Sequence, residues 1–202
     1  MSKKIYLISP PEINLEDFAL KLSLALETNK ISLFQLRLKN LPIYEIEHKA
    51  NILSKICQKY NVPFILNDNF DLALKVGADG VHLGGADGQI SNIKNSAPKN
   101  FIIGTGCYDS KDRITESIKN NVDYISLGAF FNSKTKKSAG KPDLDLVKYC
   151  KDITNIPIIC IGGIDNKNYQ PLIDSGADKL AVISYIWGHS KGIKYAIESF
   201  LF

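Results

Sequence analysis

Three polar side chains occupy every second position of the run Gln35-Leu36-Arg37-Leu38-Lys39, and two of them are cations with no acidic neighbour. In an extended strand, successive side chains point to opposite faces. Gln35, Arg37 and Lys39 therefore share one face, with Phe34, Leu36 and Leu38 on the other. Such a pair of cations needs an anion, either a carboxylate from elsewhere in the fold or a bound phosphate. Two aspartates follow separate apolar runs, Asp68 after Leu66-Asn67 and Asp87 beyond His82-Leu83-Gly84-Gly85-Ala86. Mg2+ is typically held by one or two carboxylates together with waters and phosphate oxygens, a number that Asp68 and Asp87 supply. Each of them alone also reads as a helix N-cap. His82 ends an apolar run before Leu83-Gly84 and reads as a structural hydrogen-bonder rather than a base.

Further anion-binding candidates lie later in the chain. The segment 128–140 is long and polar and carries Ser133, Lys134, Thr135, Lys136 and Lys137, which suits either an anion-binding lid or a solvated charged loop. Ile161-Gly162-Gly163-Ile164 and Ile183-Ser184 each end an apolar run, where glycine N–H groups and a hydroxyl can take a phosphate. No Ser-His-Asp or Cys-His arrangement for nucleophilic catalysis is evident.

These groups all follow short β-branched runs, and the runs set the architecture. Eight strands are predicted at 5–9, 31–37, 63–67, 80–83, 101–105, 124–127, 156–161 and 180–183. Amphipathic stretches with apolar residues at spacings of three and four lie between them, among others at 15–27, 44–59, 111–119, 144–151 and 168–175. Runs that are apolar on both faces, such as 156–161, belong to parallel strands covered on both sides. The repeated Gly77-Ala78-Asp79 and Gly176-Ala177-Asp178 mark a helix stop at glycine followed by entry to the next strand. Eight such units predict an α/β chain folded as a single (β/α)8 TIM barrel over residues 1–202, with a doubly wound open sheet as the alternative. In that barrel the loops at the carboxyl ends of the strands build the site, which is where the candidate residues fall.

Composition narrows the function classes. The formal net charge of +4 is spread along the chain, its densest stretch being Lys134, Lys136 and Lys137, which argues against a nucleic-acid partner. Four cysteines without CxxC spacing, three of them in apolar patterns, read as reduced thiols of a cytoplasmic protein. Neither a signal peptide nor a membrane span is indicated. The oligomeric state stays open, a homo-oligomer included.

The set formed by Gln35-Leu36-Arg37-Leu38-Lys39, Asn67-Asp68, the segment 77–84 with Asp87, Thr135-Lys136-Lys137, Ile161-Gly162-Gly163-Ile164 with Asn168, and Gly176-Ala177 through Ile183-Ser184 resembles the thiamine phosphate synthase family. The likeness spans nearly the whole chain in the same order. It implies a Mg2+-dependent transferase that joins hydroxymethylpyrimidine diphosphate to a thiazole phosphate, releasing pyrophosphate and forming thiamine phosphate. By that resemblance Gln35, Arg37, Lys39, Asn67 and Lys136 hold the pyrimidine diphosphate, with Arg37, Lys39 and Lys136 as the catalytic cations. Asp68 and Asp87 hold its magnesium, and Ser133, Lys134, Thr135, Gly163, Ile183 and Ser184 take the thiazole phosphate. The chain departs from the family pattern at Leu38 (usually glutamate), Gly85 (glutamine), Gly106 (serine or threonine) and Asn132-Ser133 (Pro-Thr). Two other readings share the scaffold. One is a thiazole tautomerase, whose histidine after strand five is replaced here by Tyr108. The other is a non-catalytic phosphate-ligand-binding relative.

Overall fold

The computed structural model describes residues 4–84, 90–132 and 142–202. Among the described residues there are eight strands: β1 (Ile5–Ile8), β2 (Ile31–Leu36), β3 (Phe64–Asn67), β4 (Gly80–Leu83), β5 (Ile102–Tyr108), β6 (Tyr124–Gly128), β7 (Ile158–Ile161) and β8 (Lys179–Val182). They pair in parallel in chain order, and β1 pairs with both β2 and β8, so the sheet closes into the expected barrel and the open-sheet alternative falls. The helices α1 (Leu15–Leu26), α2 (Ile43–Lys59), α3 (Phe70–Lys75), α4 (Ile90–Ser96), α5 (Lys111–Lys119), α6 (Leu144–Ile153) and α7 (Gln170–Asp174) connect them. Two short helices, α8 (Ser184–Trp187) and α9 (Ile193–Glu198), follow β8.

Strand parity divides the core in two. Phe34, Leu36, Leu66, Val81, Leu127 and Leu180 face outward and pack under helix residues such as Leu22, Leu53, Ile114, Val147 and Leu172. Tyr6, Ile8, Leu33, Ile65, Tyr124, Ile159 and Ala181 fill the barrel interior. All four cysteines are buried, Cys107 as well as the three expected from their apolar surroundings. Burial pushes the Cys150 thiol up to about 11, so it stays protonated at neutral pH.

Most strand bounds fall within one residue of expectation, and the two that differ by more do so for local reasons. β5 runs to Tyr108 rather than 105, because Gly104 and Gly106 give no apolar signal yet pair with Tyr124 and Ser126 of β6. β7 begins at Ile158 rather than 156, since Pro157 has no N–H to donate, although its carbonyl still accepts from the Ile125 N–H at 2.9 Å.

The amino-terminal end of the barrel is locked by aspartates. Asp79, Asp123 and Asp178 each precede a strand, and each Oδ2 accepts the backbone N–H of Phe64, Ile103 or Ile158 on the preceding strand, at 2.7, 2.8 and 2.7 Å. Their own N–H groups donate back to the carbonyls of those same residues at 2.9, 2.7 and 2.9 Å. The first and third are the Ala-Asp pairs of the sequence, entered through Gly77 and Gly176 at φ of +62° and +105°. The second is the same device entered through Asn121 at φ +49°.

Candidate active site

At the opposite end the strands open into a cavity of about 580 Å³, lined from nearly all around the barrel. Gln35, Arg37, Lys39, Asn67, Asp68, Gly163, Ile183 and Ser184 all line it. Eight residues predicted from four separate chain segments are thus brought to one mouth. Asp87, Ser133, Lys134, Thr135 and Lys136 lie outside the described residues.

The three polar residues around β2 occupy successive depths. Gln35 is only 1% exposed and forms part of the cavity floor. Arg37 stands above it, its strand exit fixed by donation from its N–H to Ser9 Oγ at 2.9 Å. Lys39 is exposed at the rim. Leu38 faces outward as parity requires and packs in the outer core, 8% exposed.

Asp68 is not a helix cap. The cap of α3 is Asn69, whose side chain accepts from the Leu72 N–H at 2.9 Å. Asp68 itself adopts a left-handed backbone at φ +63°, and its N–H donates to the His82 carbonyl at 2.8 Å. Its Oδ1 accepts a longer bond from the Gly84 N–H at 3.2 Å. This geometry leaves a carboxylate oxygen beside the cavity, a hard donor of the kind Mg2+ takes. Among the described residues no group of three or more His, Cys, Asp and Glu gathers into a cage. One or two carboxylates completed by phosphate oxygens and water is the arrangement that such a donor set fits.

Below the cations, four side chains cross the barrel. Gln35 Nε2 donates to the Tyr6 hydroxyl at 2.7 Å, that hydroxyl pairs with Tyr124 at 2.7 Å, and His82 Nδ1 lies 3.0 Å from the Tyr124 hydroxyl. His82 is therefore a hydrogen-bonder of the floor, as read from the sequence, and its ring stacks at 9° on that of Tyr124. Burial pushes both phenols well above the ordinary tyrosine range and keeps them neutral. Gly104 makes this possible, because a Cβ there would fall 1.8 Å from the Tyr124 ring.

Across the mouth, Gly162 and Gly163 turn the chain after β7 with φ of +109° and +62°. A Cβ on Gly163 would meet the Asn132 carbonyl at 2.5 Å, so only glycine fits. Asn168 braces the turn: its Nδ2 donates to the Gly163 carbonyl and its Oδ1 accepts from the Asp165 N–H, both at 2.9 Å.

The match to known proteins follows this geometry. A family model described as thiamine monophosphate synthase matches residues 5–186. The chain belongs to the thiamine monophosphate synthase family. A thiamine-phosphate synthase of Pelagibacter ubique is 42% identical over 195 residues, covering 94% of this chain and 91% of the relative. One from Rhodospirillum centenum is 34% identical, covering 98% and 95%. A solved family structure, thiamine phosphate pyrophosphorylase from Pyrococcus furiosus, superposes with a TM-score of 0.83 at 30% identity, covering 98% of this chain and 93% of that one. The fold extends beyond the family: a 3-hexulose-6-phosphate synthase superposes at a TM-score of 0.70 with 15% identity.

Several cavity residues were not among the candidate site residues of the sequence. Ser126, Tyr108, Tyr185 and Asp165 line the mouth, and Tyr6 lines its floor. Parity could have found Ser126, two residues beyond Tyr124 on the same face of β6. Tyr108 lay past the predicted strand end, and Tyr6 was hidden in an apolar run.

Proposed function

We propose that this chain is a thiamine phosphate synthase that joins hydroxymethylpyrimidine diphosphate to a thiazole phosphate. The observation that carries the reading is one cavity combining Arg37 and Lys39 with the Asp68 carboxylate, and the glycine turn at Gly163 with Ser184. The first three suit a diphosphate with its cation, and the turn suits a second, single phosphate.

The bond between the pyrimidine methylene carbon and the diphosphate oxygen breaks, and the thiazole nitrogen lone pair forms the new C–N bond. Pyrophosphate leaves with the electron pair, and the ring nitrogen becomes the thiazolium cation. No proton needs to move, which agrees with a mouth built from fixed charges rather than from a nucleophile and base. Arg37 and Lys39 stabilise the charge that grows on the leaving group, and Lys136, which follows β6 in the chain, is assigned the same role. Asp68, with Asp87, would hold Mg2+, which when bound would neutralise diphosphate oxygens. Asn67 and Gln35 orient the pyrimidine, and the thiazole phosphate rests on Gly163, Ile183 and Ser184, with Ser133, Lys134 and Thr135 as its further assigned partners. Confinement of the two reactants in one cavity supplies the rest of the acceleration.

The test is incubation with both substrates and Mg2+, followed by phosphorus NMR. Thiamine phosphate and pyrophosphate should appear in equal amounts. Binding of both substrates without product would replace the synthase with a phosphate-ligand-binding relative. Isomerisation of a thiazole phosphate alone would replace it with a tautomerase.

A further inference from the structure

Gly106 leaves an empty place in the cavity wall between two strands. It lines the cavity, and the atoms nearest to a Cβ built on it are His82 Nε2 and the Leu83 carbonyl oxygen at 3.6 Å and Ser126 Oγ at 3.9 Å. These are ordinary contacts, and the Gly106 backbone is outside the left-handed region, so neither space nor conformation demands glycine. Ser126 sits directly beside it, since the two residues are register partners across β5 and β6. Two positions beyond the inward-facing Tyr124, Ser126 also points into the barrel and lines the cavity, 8% exposed. Its hydroxyl makes no hydrogen bond to any of the described residues. A nearly buried hydroxyl of this kind needs a partner, and the cavity is where one arrives.

We propose that Ser126 is a substrate-binding residue whose hydroxyl reaches the pyrimidine diphosphate through the space that Gly106 leaves open. The place adjoins the Leu83 carbonyl at the end of β4, one residue before the Gly84 N–H that Asp68 accepts, so it lies on the diphosphate side of the mouth. A serine at 106 with a smaller residue at 126 would offer a hydroxyl to the same volume from the neighbouring strand. The pair thus forms one hydroxyl position with two interchangeable anchors, of which this chain uses the one on β6. The inference rests on the synthase reading for the identity of the ligand.

The experiment measures pyrimidine diphosphate affinity by calorimetry with Mg2+ and without the thiazole, in wild type, Ser126→Ala, and Ser126→Ala with Gly106→Ser. Ser126→Ala should weaken binding roughly tenfold, the loss of one hydrogen bond to a charged partner. Adding Gly106→Ser should restore most of it, a rescue that a merely structural serine would not show. Unchanged affinity in Ser126→Ala overturns the proposal, as does a loss that the relocated hydroxyl fails to recover while both variants keep the wild-type Tm. A wild type that binds the diphosphate but forms no thiamine phosphate would reject the synthase reading and leave the role of Ser126 in binding standing.

Discussion

Asp178 and Asp68 carry the same side chain at opposite ends of one barrel, and they are held in opposite ways. Asp178 exchanges two backbone bonds with Ile158, at 2.7 and 2.9 Å, and meets the Lys151 ammonium at 3.1 Å. Asp68 receives one longer amide bond, at 3.2 Å, from a left-handed backbone that turns it to the cavity. The strand ladders leave free N–H groups at strand starts, so a carboxylate there is consumed by the fold. At strand exits the loops decide, and a carboxylate can be kept for a ligand. The address of a charge in the barrel, more than its type, separates stability from chemistry.

Breaking the upper aspartate should have the largest effect. Asp68→Asn should lower turnover by roughly 10²- to 10³-fold, about 3 to 4 kcal/mol of transition-state stabilisation, while the Tm stays at the wild-type value. Steady-state kinetics beside a thermal melt check both halves. A comparable fall in Tm would make Asp68 another structural clamp.

The lower aspartate should behave inversely. Asp178→Ala removes a charged acceptor from the Ile158 N–H, which costs about 2 kcal/mol. In a chain of this size that lowers Tm by roughly 4 to 8 °C and leaves kcat/KM unchanged. A loss of activity at temperatures well below the melt would erase the distinction between the two ends.

Between the ends lies the tyrosine floor, whose effect is smaller and depends on pH. Tyr6 and Tyr124 are raised above the unfolded value of 10.0, chiefly by burial, so their contribution is fully present below pH 10 and is lost as pH rises toward the folded values. Above pH 10 the unfolded chain releases protons that the native chain keeps, and stability falls by about 1.4 kcal/mol per pH unit for each phenol. Urea unfolding at stepped alkaline pH should show Tyr124→Phe removing one of these two contributions. An unchanged slope would mean that Tyr124 ionises in the folded state.

The barrel was legible because its signals are periodic and local: alternating apolar runs, helix-stop glycines, and the Gln35-Arg37-Lys39 stripe all act within a few residues. The same parity placed Leu38 outside correctly. The cap reading of Asp68 was not decidable from type alone, since Asn69 next to it competes for the role and wins. Tyr6 and Tyr124 gave no signal of their meeting, because their hydroxyls come together from strands 118 residues apart in the chain. Their contact also depends on the missing side chain of Gly104 on a third segment. Ser126 acquires its interest only once register sets it beside Gly106. Long-range contacts of this kind are set by closure of the barrel, which no local pattern encodes.

The most direct test of the division between the two ends is a crystal structure with pyrophosphate, thiazole phosphate and Mg2+ bound. Pyrophosphate should lie against Arg37 and Lys39, Mg2+ at about 2.0 to 2.1 Å from an Asp68 oxygen or one water away, and the thiazole phosphate on the turn at Gly163 and Ser184. Pyrophosphate bound at the Asp79-Asp123-Asp178 end, or inside the mouth with Asp68 turned away from the metal, would contradict it.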